Sequence, residues 1–221
     1  MSLEHEKQLA AEAAALLVED GMTVGLGTGS TVGYLLPALA GRGLDLRCVA
    51  TSAATEEAAR ALGLRVESFG GIDAPARLDI AIDGVDQVEP SGWLVKGGGA
   101  AHTREKAVAA AADRFVVIAS SDKFVDRLSP PVPLELLDYG LAATLRRLGP
   151  VQLRDVARSP DGGVIADYLG EFDDPEVLAM QLSATPGVVE HGLFPAWMVS
   201  EVLGAGDGSV ERFIPGWKHP R

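Results

Sequence analysis

The sequence predicts an α/β fold: a mostly parallel sheet covered by helices on both faces, with a second, smaller α+β domain. Three observations carry the prediction. Short apolar runs alternate with segments of helical period from the N-terminal region through Ala119, and strands that alternate with helices pair in parallel under helical layers. Several of the runs end in glycine- or aspartate-rich loops, where parallel sheets bind their ligands. The character of the chain then changes at Ser129-Pro-Pro-Val-Pro133, a proline-rich stretch that marks a domain boundary.

Taken in order, residues 4–19 predict a helix with Leu9, Ala13, Leu16 and Leu17 on one face, stopped by Gly21. A strand at Thr23 to Leu26 leads into Gly25-Leu-Gly-Thr-Gly-Ser-Thr31, and Val32, Leu35, Leu36 and Leu39 recur at helical spacing. The unit repeats as a strand at Leu46 to Ala50, a turn at Thr51 and Ser52, and a helix from Ala54 to Leu62. A third strand is expected near Arg65 to Ser68, and a fourth, Leu78 to Ile82, runs into Asp83-Gly-Val-Asp86. Lys96-Gly-Gly-Gly99 precedes an alanine-rich helix from about Thr103 to Ala112, followed by a strand at Phe115 to Ala119. This is a Rossmann-like pattern. Beyond the prolines come a helix at about 138–148, strands near Val151 to Val156 and Val164 to Tyr168, a helix at Pro175 to Ser183 and a strand near Val188. Met198 to Leu203 and Val210 to Phe213 read as strands returning to the first domain. The expected division is residues 1–129 plus about 204–221 as the catalytic domain and about 130–203 as the small one.

The 221 residues carry a formal charge of −12. Such a surface repels nucleic acid and anionic membrane, so neither is an expected partner. An anion site must then be locally positive, which draws attention to lysines beside glycine loops. The single cysteine, Cys48, lies in an apolar run and reads as a buried core thiol in a reducing compartment. The acid-bearing N-terminus does not read as a signal peptide and no run is long enough to span a membrane, so a cytoplasmic location is expected.

Three segments carry chemistry. The loop at 25–31 lets backbone N–H groups converge at a helix start, with Thr28, Ser30 and Thr31 adding hydroxyls; this suits a phosphate. It is not the dinucleotide fingerprint, because Ser30 stands at the third glycine position, and no P-loop lysine follows. A tight strand-to-helix turn with Ser30 or Thr31 as N-cap accounts for it equally well. Asp83 and Asp86 stand just past a strand, able to hold sugar hydroxyls, or simply to build a solvated turn. A metal site is not expected, since His5, His102, His191 and His219 are scattered. Lys96 offers a cation beside Gly97, Gly98 and Gly99. Glu105 falls in the first turn of the next helix, at N2 if Thr103 is the N-cap, where it also complements the helix dipole.

Together GLGTGST, AIDGVDQ, LVKGGGAAHTREK, IASSDKFVD and TPGVVEHGLF resemble, in identity and order, the signature segments of A-type ribose-5-phosphate isomerases, over about residues 4–215. The resemblance implies an aldose–ketose isomerase of the non-oxidative pentose phosphate pathway, interconverting D-ribose 5-phosphate and D-ribulose 5-phosphate through an enediolate. It implies no metal or organic cofactor, and a homodimer or larger homo-oligomer. It assigns Glu105 as base, with Lys96, Asp83 and Asp86 as the other catalytic groups. It places Thr28, Gly29, Ser30 and Thr31, the acidic loop Asp83, Gly84, Val85 and Asp86, and Lys96 to Gly99 on the substrate, with Lys7 and Lys123 as phosphate-side cations. The chain departs from the family pattern at Gln87, where a glutamate is usual, and at Asp138, where a proline is usual. Three rivals remain, the first with His102 as the one histidine placed near a glycine loop. A sugar-phosphate deaminase or lactonase is one, the deaminase calling for a catalytic histidine. A sugar-phosphate sensor would follow a helix-turn-helix, for which there is no room before residue 21. A nicotinamide dehydrogenase would need the intact fingerprint.

Overall fold

The computed structural model of the chain describes residues 2–215; His219 and residues 216–221 of the expected first domain lie outside them. Helix α1 (Leu3–Ala15) leads to β1 (Thr23–Leu26), α2 (Val32–Ala40), β2 (Arg47–Ala50), α3 (Ala53–Ala61) and β3 (Ile80–Asp83). Two-residue strands β4 (Gln87–Val88) and β5 (Leu94–Val95) precede α4 (His102–Ala111) and β6 (Phe115–Ser120). Then come β7 (Val132–Leu136), α5 (Leu141–Leu148), β8 (Val151–Leu153), β9 (Val164–Tyr168), α6 (Pro175–Ser183), β10 (Val188–His191) and β11 (Leu193–Phe194), closed by β12 (Glu201–Gly206) and β13 (Ser209–Phe213).

Six strands form the main sheet in the order β13-β12-β6-β3-β1-β2. All neighbours pair in parallel except β12 with β13. From β1 the chain runs outward to β2, then crosses back to β3 on the other side of β1. The loops leaving β1 and β3 therefore part at the carboxyl end of the sheet and open a crevice there, as the rule for open parallel sheets requires. Alternate strand residues feed two cores. Val24, Leu26, Ile80, Ile82, Val116 and Ile118 pack under α1 and α2, whereas Ala81, Val117 and Ala119 pack under α4. Fully burying each such aliphatic side chain stabilises by about 1.5–3 kcal/mol, which fixes the positions of the strand ends.

The face that α1 presents inward differs from the sequence expectation. Ala10, Ala11, Ala14 and Ala15 are buried while Leu16 is 72% exposed. Small side chains let the helix lie close on β6 and β12, which a leucine stripe would not. The strand expected near residues 65–68 is reduced to one bridge, Cys48 to Val66. Cys48 is buried, and burial pushes its thiol up to about 11, so it is an inert core group. Among the described residues no helix is long and apolar enough to cross a membrane.

Beyond the prolines, four strands form an antiparallel sheet in the order β10-β7-β9-β8, with its own core of Leu134, Leu136, Leu178 and Leu182. Strand β7, which the prolines hide from a sequence reading, is central in it. A three-stranded sheet, β11-β5-β4, joins the two larger ones. The departure at Gln87 has a physical use: its amide donates to the Ser129 carbonyl at 2.9 Å and accepts from the Ser129 N–H at 2.9 Å. A glutamate could only accept. Asp138 pairs with Arg158 on the surface at 3.1 Å.

Candidate active site

The crevice at the ends of β1 and β3 holds a small cavity of ≈ 110 Å³ lined by residues 28–31, 84–86 and 96–99, with Glu105 and Lys123. Asp83, the last residue of β3, does not line the cavity itself but lies buried directly behind Lys96, which does. One carboxylate oxygen accepts from the Thr28 N–H at 3.0 Å and the Gly84 N–H at 2.7 Å. The other lies 2.9 Å from the Lys96 ammonium. Gly27 is needed beside it, since a Cβ there would stand 1.9 Å from Asp83 Oδ1.

Lys96 leaves the end of β5, where its N–H donates to the Gly192 carbonyl at 2.8 Å. Its Nζ donates to the Gly84 carbonyl at 2.6 Å and lies 3.1 Å from Glu105 Oε2. The Phe194 ring, 5.6 Å away, offers its face to the same ammonium. All three ionisable side chains are buried: Asp83 is 3%, Lys96 2% and Glu105 4% exposed. Burial works against the Lys96 charge, but the Asp83 and Glu105 carboxylates outweigh it and hold the ammonium above its ordinary value. Burial raises Asp83, opposed by Lys96 and by the N–H donors of Thr28 and Gly84. Burial pushes Glu105 up to about 8, with the Asp83 charge adding and Lys96 opposing. Apart from the Lys96 ammonium, Glu105 Oε2 has no partner among the described residues. A buried carboxylate with a raised pKa, held by a fixed cation and otherwise unpartnered, is equipped to take a proton from carbon.

Glu105 is not at N2. Ala101 is the N-cap of α4 and makes no side-chain cap bond, so Glu105 is the fourth helical residue, turned inward. The turn before it bends through positive φ at Gly97 (102°), which glycine adopts freely, and at Ala100 (61°), where a Cβ makes it strained. The Gly98 N–H donates to Asp86 Oδ2 at 2.8 Å, tying the glycine loop to the acidic loop. His102 is buried behind Gly97, and burial holds it down to about 4, so it is a neutral packing group.

The β1 loop differs in detail from expectation. The Thr28 hydroxyl turns away from the cavity to Thr51 and Thr55, 2.7 and 3.2 Å from their hydroxyl oxygens. Thr55 in turn donates to the Gly27 carbonyl at 2.9 Å. These two threonines lock the loop from behind; the sequence marked Thr51 only as part of a turn. Thr31 caps α2 without a side-chain bond, so Ser30 and Thr31 face the cavity with N–H groups that have no acceptor among the described residues. Lys123, on the 3₁₀ turn Ser121–Lys123, lines the cavity with its Nζ 3.1 Å from Asp122. Lys7 does not line it. Its ammonium rests on Glu4 at 2.6 Å, one residue from Glu6, which accepts from Ser121 N–H and Oγ at 2.8 and 2.7 Å.

The chain resembles known proteins along most of its length. The family model for ribose 5-phosphate isomerase A (phosphoriboisomerase A) matches residues 47–208. A ribose-5-phosphate isomerase A from Rhodopseudomonas palustris is 43% identical, covering 96% of this chain and 100% of that protein. Among solved structures, ribose 5-phosphate isomerase A from Neisseria gonorrhoeae superposes with a TM-score of 0.92 at 30% identity, covering 98% of this chain and 99% of that one. A D-ribose-5-phosphate isomerase in complex with phospho-erythronic acid gives 0.89 at 31% identity, over 97% and 100%. With its crevice, its buried Asp83–Lys96–Glu105 group and these relatives, the chain belongs to the ribose 5-phosphate isomerase A family.

Proposed function

We propose that the chain interconverts D-ribose 5-phosphate and D-ribulose 5-phosphate by moving a proton between C1 and C2 through an enediolate. The observation that carries this is Lys96 held between Glu105, which lines the cavity with it, and Asp83 buried behind it. Glu105 removes the C2 proton and returns it to C1. Lys96 and loop N–H groups stabilise the oxygen that gains charge. Asp83 handles hydroxyl protons and ring opening, and Asp86 holds chain hydroxyls. The phosphate sits on the 28–31 loop with Lys123, and Lys7 joins by leaving Glu4, whose carboxylate is mostly in solvent. Anchoring the phosphate fixes the reacting carbons against Glu105. Incubating the pure protein with ribose 5-phosphate in deuterium oxide tests the reading: ketose should form and carry solvent deuterium, and no ketose would refute it.

Two expectations follow. Lys123→Ala should raise KM for ribose 5-phosphate about tenfold or more, the worth of a charge-assisted hydrogen bond, and leave a phosphate-free pentose unaffected. Equal effects on both substrates would mean Lys123 does not see the phosphate. Because Lys96 supplies the positive charge at the reacting centre, activity should survive exhaustive chelation; loss with EDTA and recovery with a divalent ion would overturn that.

The family likeness also supports a cytoplasmic homodimer or larger homo-oligomer, measurable by light scattering. We further read residues 1–129 with about 204–221 as the catalytic unit and about 130–203 as a smaller one. The separate core of the four-stranded sheet supports this, and β12 moves the return of the chain to Glu201.

A further inference from the structure

The glycine loop is gripped from outside the crevice by a residue of the small sheet. Arg154 follows β8, between residues 138 and 165, where the sequence least resembles any motif. Its guanidinium forks onto Asp167 of β9, Nε to Oδ2 at 2.8 Å and Nη2 to Oδ1 at 2.6 Å. The remaining nitrogen, Nη1, donates to the carbonyls of Gly97 at 2.9 Å and Gly98 at 3.1 Å. Both side chains are largely buried, 16% and 19% exposed.

The geometry of the peptide bond gives these contacts a consequence. In a trans peptide the C=O and the following N–H point opposite ways. Holding the Gly97 carbonyl toward Arg154 therefore turns the Gly98 N–H the other way, onto Asp86 Oδ2. Holding the Gly98 carbonyl turns the Gly99 N–H away from Arg154; that N–H has no acceptor among the described residues, and Gly99 lines the cavity. Three consecutive glycines have little conformational preference of their own; inside the loop the Gly97 carbonyl accepts from the Ala100 N–H at 3.0 Å, and the Gly98 carbonyl is held only by Arg154 among the described residues.

We propose that Arg154, itself fixed by Asp167, is a positioning residue for the isomerisation. By gripping two loop carbonyls it presents the Gly99 N–H to the enediolate oxygen and the Gly98 N–H to Asp86. The inference rests on the isomerase reading of the same cavity. Arg154 acts through the loop and does not touch the substrate. Lysine cannot replace it: the planar guanidinium spans a carboxylate and two carbonyls at once, and an ammonium is a single point charge.

The test compares the parent with Arg154→Lys, Arg154→Ala and Asp167→Asn. Arg154→Lys, which keeps the charge and should melt like the parent, is expected to lose about 10- to 10²-fold in kcat, the cost of a small misplacement at a reacting centre. Its affinity for phospho-erythronic acid, whose carboxylate puts negative charge beside the loop, should fall in parallel. Its affinity for inorganic phosphate, which needs only the anion end, should stay at the parental value. Hydrogen–deuterium exchange should quicken in residues 96–100, with the phosphate loop unchanged. Asp167→Asn should move every readout the same way by less. Folded Arg154→Lys and Arg154→Ala proteins with parental kcat, parental phospho-erythronic acid affinity and parental loop exchange would overturn the proposal. Failure of the isomerase reading is separable: the parent itself would make no ribulose 5-phosphate, and unchanged loop exchange in the variants would still refute the clamp.

Discussion

Glu105→Gln is expected to melt at least as high as the parent and to isomerise at no more than about one-hundredth of its rate, the usual worth of a positioned base. The amide keeps the size of the side chain but has no basic lone pair for C–H abstraction, so exchange of the substrate C2 hydrogen with solvent should stop as well. If Glu105 only complemented the helix dipole, its loss would cost about 0.3–1 kcal/mol and leave turnover intact. The pH behaviour separates the two roles further. Glu105 is pushed up to about 8 by burial and by Asp83, and it must be ionised to act. The parental kcat/KM should therefore fall as pH drops through about 8. The stability sign is opposite. A carboxyl whose folded pKa lies above its unfolded value binds more protons when folded, so the parent loses stability as pH rises from about 4.5 to about 8. The melting gap between Glu105→Gln and the parent should widen in favour of the variant over that window. A variant within a few-fold of parental turnover would send the search for the base to Asp83 or Asp86.

Lys96→Met should show the larger structural effect and an equally severe catalytic one. The ammonium lies 2.9 Å from Asp83 and 3.1 Å from Glu105, all three buried. Taking the cation away leaves two carboxylates facing each other out of water. Breaking a buried ion pair from one side costs about 3–5 kcal/mol, which for a chain of this size lowers Tm by roughly 6–20 °C. The loss should shrink at lower pH, where the stranded carboxylates take up protons that the fold then prefers bound. Differential scanning calorimetry at pH 5 and pH 8 checks both statements. A Tm equal to the parent's at pH 8 would show that Asp83 and Glu105 are already protonated beside Lys96 and would remove the electrostatic basis of the mechanism.

Strong periodicity was read well from the sequence. β1, β9 and α6 fall where the sequence places them, because each pairs a clear period with a turn or cap signal: Gly27 after β1, Asp174 capping α6 and glycines flanking β9. The loops at 25–31, 83–86 and 96–99 were legible for the same reason, and the structure brings all three to one crevice. What escaped depends on partners distant in the chain. β4, β5 and β11 have two residues each, too few to show a period. β7 hides behind Pro131 and Pro133 and exists because β9 and β10 flank it. The turn of the Thr28 hydroxyl away from the cavity depends on Thr51 and Thr55, and the grip of Arg154 on a loop 56 residues earlier leaves no local mark.

The small joining sheet bears on how the protein is made. Val95, next to Lys96, pairs with Leu193, and Lys96 itself bonds to Gly192. β6, in the middle of the main sheet, finds its outer neighbour only in β12 at Glu201–Gly206. A chain ending at β10 would hold every proposed catalytic side chain but lack Gly192 and β11, which hold Lys96 and β5, and would leave β6 an open edge of buried-type residues. Such edges recruit other strands. A chain truncated before Glu201 is therefore expected to be inactive and to aggregate through the open edge of β6.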